Sequence, residues 1–472
     1  MKNLLQEIER LEKEYTSLIP SEAKRNEWLH KVNAFSSKFL SQTDTTSGYN
    51  SSKPNFTFTI SDGPIDIEKI LNEYEKNVSS LGIQAASAAH LGYIPGGGIY
   101  AAALGDYLAA ITNEYAGMKF ASPGAVAIEN SVLDWLKELF HFPEDSVGNL
   151  TSGGSIANLI ALTSARDHHN ISGDKIQKSV IYVSQHVHHC NHKALRIIGL
   201  GDVIIRELKL DDNFRIETTE LHNQIDHDLK MGLLPFMIIA SAGTTDTGAV
   251  DPLEKIGRIA KEYQMWFHID AAYGGFFYLV DAYKHLFRGI QMADSLVVDP
   301  HKGLFLPYGV GAVLIKHKNS VLQSHHYTAN YMQDANQDHL DLNPADLSPE
   351  LSKHFRGLRV WLPLQLHGIA VFKSCLEEKL LLTLYARQKL RELSYELGPA
   401  PDLSVTFFWH KKGDDFTRKL MQLIHDDGDV FLSSSNIGGR FVIRVAILAF
   451  RTKKATIDRM ILMIKRCESA LV

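Results

Sequence analysis

A lysine and an aspartate each follow a short apolar run, at the point where the side chains of a buried strand would emerge. Lys302 lies in Val298-Asp-Pro-His-Lys-Gly-Leu-Phe-Leu-Pro, and Asp270 lies in His268-Ile-Asp-Ala-Ala-Tyr-Gly-Gly. Burial lowers the pKa of a lysine and so makes its amine nucleophilic. A buried carboxylate is costly unless it meets a cation, so Asp270 could keep a heterocyclic nitrogen protonated. Each residue also has an ordinary alternative, a solvated lysine and a carboxylate that caps a turn.

A third segment, Asn149-Leu-Thr-Ser-Gly-Gly-Ser155, leads directly into an amphipathic helical pattern at 156–166. A Gly/Ser turn at a helix N-terminus offers free backbone N–H groups and the positive end of the helix dipole, which suit a phosphate. The alternative is an ordinary N-cap formed by Ser155.

A fourth segment, Gln185-His-Val-His-His-Cys-Asn-His192, contains four histidines and Cys190. It lacks the HExxH or paired CxxC spacing of a recognisable metal site, so the sequence predicts no metal. An aromatic ring placed over a planar cofactor is the better use of one of these histidines.

The elements that must position these segments alternate along the chain. Between about 90 and 320, apolar runs at 179–183, 236–240, 266–269, 295–298 and 311–315 alternate with amphipathic helical patterns. This alternation predicts an α/β domain with a mostly parallel sheet. Because ligands of such sheets bind beyond the carboxyl ends of the strands, the four segments are expected to meet there.

We predict three parts: a helical segment at 1–85, a large α/β domain at 86–375 and a small α+β domain at 376–472. The first has too few apolar runs for a core of its own, so it should dock on another surface. The last contains predicted strands at 405–409, 430–432 and 441–448, after a helical stretch at 357–392. The polar segment 334–353 is typical of a mobile lid, although disorder fits its composition equally well.

Bulk composition excludes several classes of protein. The 472 residues carry a net charge of −5, which gives no electrostatic case for nucleic acid or an anionic membrane. The longest apolar stretch, 231–242, contains a proline and is too short for a membrane span. Three scattered cysteines fit a reducing compartment, so a cytoplasmic protein is expected.

Together the four segments resemble the group II decarboxylases that depend on pyridoxal 5'-phosphate (PLP), the family of aromatic-L-amino-acid, histidine and glutamate decarboxylases. Matching segments run from about 92 to 451. The resemblance implies the fold type I architecture of aspartate aminotransferase and a homodimer with the active site at the subunit interface. It also implies that residues 1–85 wrap around the partner subunit.

The resemblance assigns a role to each matching residue. Lys302 would carry PLP as an internal aldimine, Asp270 would pair with the pyridinium nitrogen, and His188 would stack on the ring. The remaining residues implied to contact cofactor or substrate are Gly154, Ser155, Thr245, Ala272, Asp299 and His301 for the cofactor, and Tyr93, Ile94, Pro95, Gly96 and Arg444 for the substrate.

The implied reaction removes the carboxylate of an L-amino acid as CO2 and leaves the amine. An aromatic substrate leads, with an acyclic one such as glutamate or diaminobutyrate behind it. A lyase or aminotransferase of the same fold, and a non-catalytic PLP-binding scaffold, are the competing hypotheses. Intact Lys302, Asp270 and His188 argue against the scaffold.

Two features depart from the family pattern. The family's lid usually carries a tyrosine that helps to protonate the carbanion, but 333–351 contains none, and His339 is its only obvious proton donor. Tyr327 and Tyr331 lie just before this stretch. Either His339 or one of these tyrosines substitutes for the lid tyrosine, or the partitioning of products changes, and the hypothesis is then a minor oxidative route to an aldehyde. The second departure is Gly96-Gly97-Gly98, which replaces bulkier pocket residues of aromatic decarboxylases and leaves the substrate less defined than the reaction.

Overall fold

The first 85 residues form helices without a core of their own. The elements of this segment are α1 (Lys2–Glu14), α2 (Glu22–Gln42), β1 (Tyr49–Asn50), α3 (Ile67–Tyr74) and β2 (Gly82–Ile83). No hydrophobic side chain of residues 1–85 is buried in the chain. Helices of this kind gain little stability from propensity alone, so they need another surface to pack on.

A seven-stranded sheet forms the centre of the chain, in a computed structural model that describes residues 1–327 and 342–471. Its strands are β3 (Val147–Thr151), β4 (Ser179–Ser184), β5 (Ile204–Leu208), β6 (Leu234–Ser241), β7 (Trp266–Asp270), β8 (Ser295–Val298) and β9 (Gly311–Ile315). Their spatial order is β3-β9-β8-β7-β6-β4-β5, and only β9 runs antiparallel to its two neighbours. The predicted mostly parallel α/β sheet is confirmed.

Helices cover both faces of this sheet. The helices of the large domain are α4 (Tyr100–Thr112), α5 (Pro123–Phe140), α6 (Gly154–His168), α7 (Cys190–Ile197), α8 (Thr218–Lys230), α9 (Leu253–Glu262), α10 (Pro300–Gly303), α11 (Lys318–His325) and α12 (Arg356–His367). In β4, Val180 and Tyr182 enter the core beneath α8 and α9, while Ile181 and Val183 enter the core beneath α6 and α7. This burial on both faces is why the strands read as continuous apolar runs.

A small lobe follows, joined to the large domain by one long helix, α13 (Ile369–Glu392). The other elements of the lobe are β10 (Glu396–Leu397), β11 (Val405–Trp409), α14 (Asp414–Asp427), β12 (Ser433–Ile437), β13 (Arg440–Ala446) and α15 (Lys454–Ser469). Leu376 and Leu380 of α13 pack in the core of the large domain, and Leu382 and Leu390 pack in that of the lobe. The chain therefore has no break at the predicted 375/376 boundary, because one helix belongs to both cores.

Two details of the predicted elements were wrong. The run 430–432 is not a strand: Val430 and Leu432 are buried in a connection, and Phe431 makes a single bridge to His90. Burial alone makes this run apolar, and the strand begins at the next residue. The helical stretch 357–392 is two helices, separated at Gly368, whose φ of +71° suits glycine.

Within 1–327 and 342–471, no helix is long and apolar enough to cross a bilayer.

The segment predicted as a lid is well packed where it is described. Residues 334–341 lie outside the described residues, but a short 3-10 helix, Pro344–Leu347, follows them. Lys353 is buried and pairs through Nζ with Glu129 of α5, and it also donates to Asn149 Oδ1 at 2.8 Å. Burial lowers the pKa of Lys353, and the charge of Glu129 opposes this effect. The end of the segment is thus fixed against β3, contrary to a structureless lid.

Removing one partner of this pair should be costly. We expect Lys353→Met to lower the free energy of unfolding by about 3–5 kcal/mol, because Glu129 would remain as an uncompensated buried charge. Urea denaturation measures the change. The double variant Glu129→Gln/Lys353→Met should recover most of the loss, whereas Lys373→Met, which breaks the more exposed pair with Asp281, should have little effect. A single variant as stable as the wild type would contradict this account.

Candidate active site

The carboxyl ends of the parallel strands surround a cavity of about 320 Å3. Most of the residues predicted to carry chemistry line it. They are Gly154, Ser155, His188, Thr245, Asp270, Ala272, Asp299, His301 and Lys302. The parallel strands bring distant segments to one edge, as expected for an open α/β sheet.

Lys302 lies in α10, immediately after β8, and its Nζ lies 3.0 Å from Asp299 Oδ2. Burial disfavours the ammonium, but the nearby carboxylates of Asp299 and Asp270 outweigh burial and raise the pKa of Lys302 above its ordinary value. Burial does oppose the charged form, as predicted, but the two carboxylates reverse the net direction of the pKa shift. The sequence shows the apolar surroundings, but only the fold shows that two carboxylates face the amine.

Asp270 ends β7 and is held by three neutral donors. Asn158 Nδ2 and Asn191 Nδ2 donate to its Oδ2 at 3.2 and 3.3 Å, and the backbone N–H of Ala272 donates to Oδ1 at 3.1 Å. These bonds satisfy a buried carboxylate without neutralising its charge. The charge therefore stays available to a cation in the cavity.

A chain of hydrogen bonds fixes the donor Asn158. His268 Nε2 lies 2.7 Å from Asn158 Oδ1, and His268 Nδ1 lies 2.8 Å from Ser295 Oγ, which accepts from Trp266 Nε1. Because Asn158 Oδ1 can only accept, Nε2 of His268 carries the proton. Burial lowers the pKa of His268 to about 4, so the ring is neutral. Its Nε2 therefore donates to Asn158 Oδ1, and its Nδ1 accepts from the hydroxyl of Ser295.

The Gly/Ser turn opens α6, as predicted from the sequence. Gly153 is the N-cap, with a φ of +146° that suits glycine, and no side chain caps this helix. Ser155 lies in the first turn, so the alternative of an ordinary Ser155 N-cap does not hold. Free N–H groups at the start of a 15-residue helix can bind an anion.

His188 lines the cavity as a neutral ring. The backbone N–H of Cys190 donates to its Nδ1 at 3.3 Å, which leaves the proton on Nε2. Burial lowers the pKa of His188, although the charge of Asp270 opposes the shift. Burial and the nearby Asp270 raise the pKa of Cys190 to about 12, so its thiol stays protonated.

Among the described residues, no group of three or more His, Cys, Asp or Glu side chains could hold a metal ion.

Arg444 does not line the cavity, contrary to its predicted substrate contact. This buried residue of β13 donates through Nε to Asp246 O at 2.9 Å, through Nη2 to Thr245 O, and through Nη1 to Ser433 Oγ at 2.8 Å. Its guanidinium therefore acts on the backbone of the loop that carries Thr245. The apolar sequence around Arg444 could not reveal which loop it reaches.

The predicted substrate segment also lies outside the cavity of the single chain. Tyr93 is 58% exposed and contacts Phe431, while Ile94 and Pro95 are buried. A Cβ on Gly96 would lie only 2.0 Å from the carbonyl oxygen of His301, so Gly96 packs against α10, the helix that carries Lys302. His339, the predicted proton donor, lies outside the described residues.

Sequence reasoning gave no role to several polar residues that line or support the cavity, among them Asn158, Asn191 and Tyr308. Asn158 and Asn191 hold Asp270, and Tyr308 lines the wall beside His301 at a ring separation of 5.8 Å. Asn158 lies among Ala157, Ile160 and Ala161 on a buried helix face. A polar residue within an otherwise apolar helix face could have been recognised from the sequence as a candidate site residue. The loop position of Tyr308 gives no such signal.

These groups fit a phosphorylated pyridine aldehyde. The turn before α6 offers N–H donors to a phosphate, Asp270 offers a carboxylate to a ring nitrogen, and Lys302 offers an amine to the aldehyde. The neutral donors around Asp270 leave its charge for that nitrogen. A PLP molecule would therefore find complementary groups at each of its three polar ends.

Comparison with known proteins agrees with this chemistry. Residues 24–411 match the pyridoxal-dependent decarboxylase conserved domain. An aromatic-L-amino-acid decarboxylase of Bacillus atrophaeus is 30% identical over 87% of both chains, and a phenylacetaldehyde synthase of Arabidopsis thaliana is 27% identical over 83% of this chain and 84% of its own. Oryza sativa TDC, solved with PLP and tryptamine, superposes with a TM-score of 0.90 at 21% identity, covering 96% of this chain and 99% of that one. The chain is thus a member of the pyridoxal-dependent decarboxylase family, with PLP as its cofactor and amino acid decarboxylation as its reaction.

Proposed function

We propose that this enzyme decarboxylates an aromatic L-amino acid to the corresponding amine. The observation that carries the proposal is the meeting of Lys302, Asp270 and His188 in one cavity beside the Gly153–Gly154 turn. The substrate class rests on the names of relatives, which include aromatic-L-amino-acid, tyrosine and tryptophan decarboxylases. An acyclic amino acid is the second candidate, because Gly96-Gly97-Gly98 departs from the bulkier residues expected of an aromatic decarboxylase, although this segment lies outside the cavity of the single chain.

PLP supplies an electron sink for the bonding pair released when CO2 leaves. We assign Asp270 to hold a proton on the ring nitrogen, since a carboxylate favours the cationic form of its partner. Asn158 and Asn191 keep that carboxylate in place from two different helices. We assign His188, neutral and half-buried, to lie against the ring face and set its tilt.

Lys302 is assigned as the point of attachment for the cofactor. Its Nζ lies 3.0 Å from Asp299 Oδ2, where it would hold a proton whenever it is not bonded to the cofactor. Ala272 and Thr245 are assigned to contact the cofactor from neighbouring loops of the same cavity. Arg444 supports this arrangement as a positioning residue, because it holds the backbone of Thr245 and Asp246.

Loss of the amine should remove both cofactor attachment and activity. Lys302→Ala is expected to abolish the visible absorbance band of the purified enzyme and to lower CO2 release by at least about 1,000-fold, because Lys302 is the one lysine that lines the cavity in the described part of the chain. Absorbance and a CO2-release screen over the twenty amino acids measure the two effects. Lys316→Ala, at the opposite edge of the sheet, should retain both. A wild-type enzyme without a visible band after incubation with PLP would contradict the proposal.

The lid composition supports a minor second route. We propose that a small share of the amino acid, together with O2 and water, leaves as aldehyde, CO2, ammonia and hydrogen peroxide. The supporting observations are the absence of tyrosine from 333–351 and the similarity to a phenylacetaldehyde synthase. In this proposal His339 serves as an imperfect proton donor to carbon.

Product analysis under air tests this route. We expect aldehyde and peroxide in equal amounts beside a larger quantity of amine, and a smaller aldehyde share for His339→Tyr because the phenol restores a proton donor. The control is the same assay without oxygen, in which the aldehyde should disappear. Amine as the sole product under air would remove the route.

We further propose a homodimer that covers the exposed apolar side chains of the N-terminal half. Leu104, Tyr107, Leu108 and Ile111 of α4 are each more than a third exposed, and residues 1–85 bury no hydrophobic side chain. Contiguous apolar surface of this kind is typical of an interface.

We also propose a cytoplasmic enzyme, because all three cysteines are free.

Charges on α4 should separate the subunits. We expect the wild type to sediment as a dimer, and Leu104→Glu/Leu108→Glu to sediment as a monomer, because each carboxylate would be buried without a partner. Sedimentation velocity at micromolar concentration distinguishes the two. Leu229→Glu, on the exposed face of α8, is the matched control and should remain dimeric. A monomeric wild type would contradict the proposed dimer.

A further inference from the structure

The carboxylate of Asp299 is buried with one oxygen unpaired. The residue is 1% exposed, and its Oδ2 lies 3.0 Å from Lys302 Nζ and 3.7 Å from His301 Nε2. Its Oδ1 has no hydrogen-bond partner among the described residues. His301 Nδ1 donates to Val310 O at 2.5 Å, so the Nε2 that faces Asp299 carries no proton in the neutral ring. Lys302 is therefore the one permanent cation paired with this carboxylate in the described part of the chain.

The same carboxylate lies against the turn that opens α6. A Cβ on Gly154 would lie 2.9 Å from Asp299 Oδ2, and a Cβ on Gly311 would lie 2.6 Å from Oδ1. Glycine at both positions lets the backbone of the turn and that of β9 approach the charge closely. An anion bound to the N–H groups of the turn would therefore have a buried carboxylate as its neighbour.

We propose that Asp299 weakens the hold of the protein on the phosphate of its cofactor and so makes the cofactor exchangeable. The inference rests on the proposed roles of Lys302 and the turn. Two like charges in a buried site repel strongly, and Lys302 compensates the carboxylate and the phosphate only in part. From the other elements that line the cavity, Asp270 adds a second negative charge, and His188 is neutral. The fraction of the enzyme that carries bound PLP would then depend on the concentration of free PLP.

Two ligands separate the phosphate from the aldehyde. Pyridoxine 5'-phosphate carries the phosphate but cannot bond to Lys302, and pyridoxal carries the aldehyde without the phosphate. For the full-length apoenzyme, Asp299→Asn should bind pyridoxine 5'-phosphate at least about tenfold more tightly than the wild type, because the amide has the same shape without the charge. Its affinity for pyridoxal should not increase. Isothermal titration calorimetry measures both dissociation constants.

Asp294→Asn is the matched control. Asp294 lies at the opposite end of β8, where it accepts from the backbone N–H of Phe267, so both constants should stay at the wild-type values. If Asp299→Asn does not fold, Asp299→Ala removes the same charge and should give the same tightening. Unchanged or weaker binding of pyridoxine 5'-phosphate by a folded Asp299 variant would overturn the inference. A wild type that binds neither ligand would instead remove the proposed cofactor site.

Discussion

The ammonium of Lys302 shares one buried cavity with the carboxylates of Asp270 and Asp299, and the surrounding structure depends on this imbalance of charge. Two anions and one cation are costly to bury unless each is hydrogen-bonded or paired. Asp270 is satisfied by neutral amide donors, while Asp299 is paired with Lys302 and its Oδ1 has no hydrogen-bond partner among the described residues. The cavity is therefore prepared for a ligand that brings its own positive charge to Asp270 and a carbonyl to Lys302.

Keeping the charge of Asp270 available to a cofactor requires hydrogen-bond donors that remain neutral. His268 could have provided a competing cation, but burial and its bonds to Ser295 and Asn158 hold it as a neutral ring. Those bonds connect helix α6 with strands β7 and β8. The orientation of the Asp270 carboxylate is therefore determined by two strands of the sheet and by one helix that covers them. Rigid support of this kind is what a catalytic group needs for a fixed geometry.

The small lobe takes part in the same arrangement. Its Arg444 holds the loop of Thr245, and α13 packs in the cores of both domains. Movement of the lobe would therefore reach the cavity through the Thr245 loop. The exposed apolar face of α4 and the N-terminal helices have no such partner in the described part of the chain, which is why we propose a second subunit to cover them.

The sequence by itself determined the α/β sheet, the two strand ends that carry Asp270 and Lys302, and the glycine turn. Strands buried on both faces appear as continuous apolar runs, and polar residues directly after such runs mark the strand ends. It also determined the family, since the Lys302, Asp270 and His188 segments match together. Only the tertiary structure decided the sign of the pKa shift of Lys302, the role of Arg444 and the packed position of Lys353. Each of these depends on which distant charge or backbone group comes within a few ångströms, and spacing along the chain does not encode that distance.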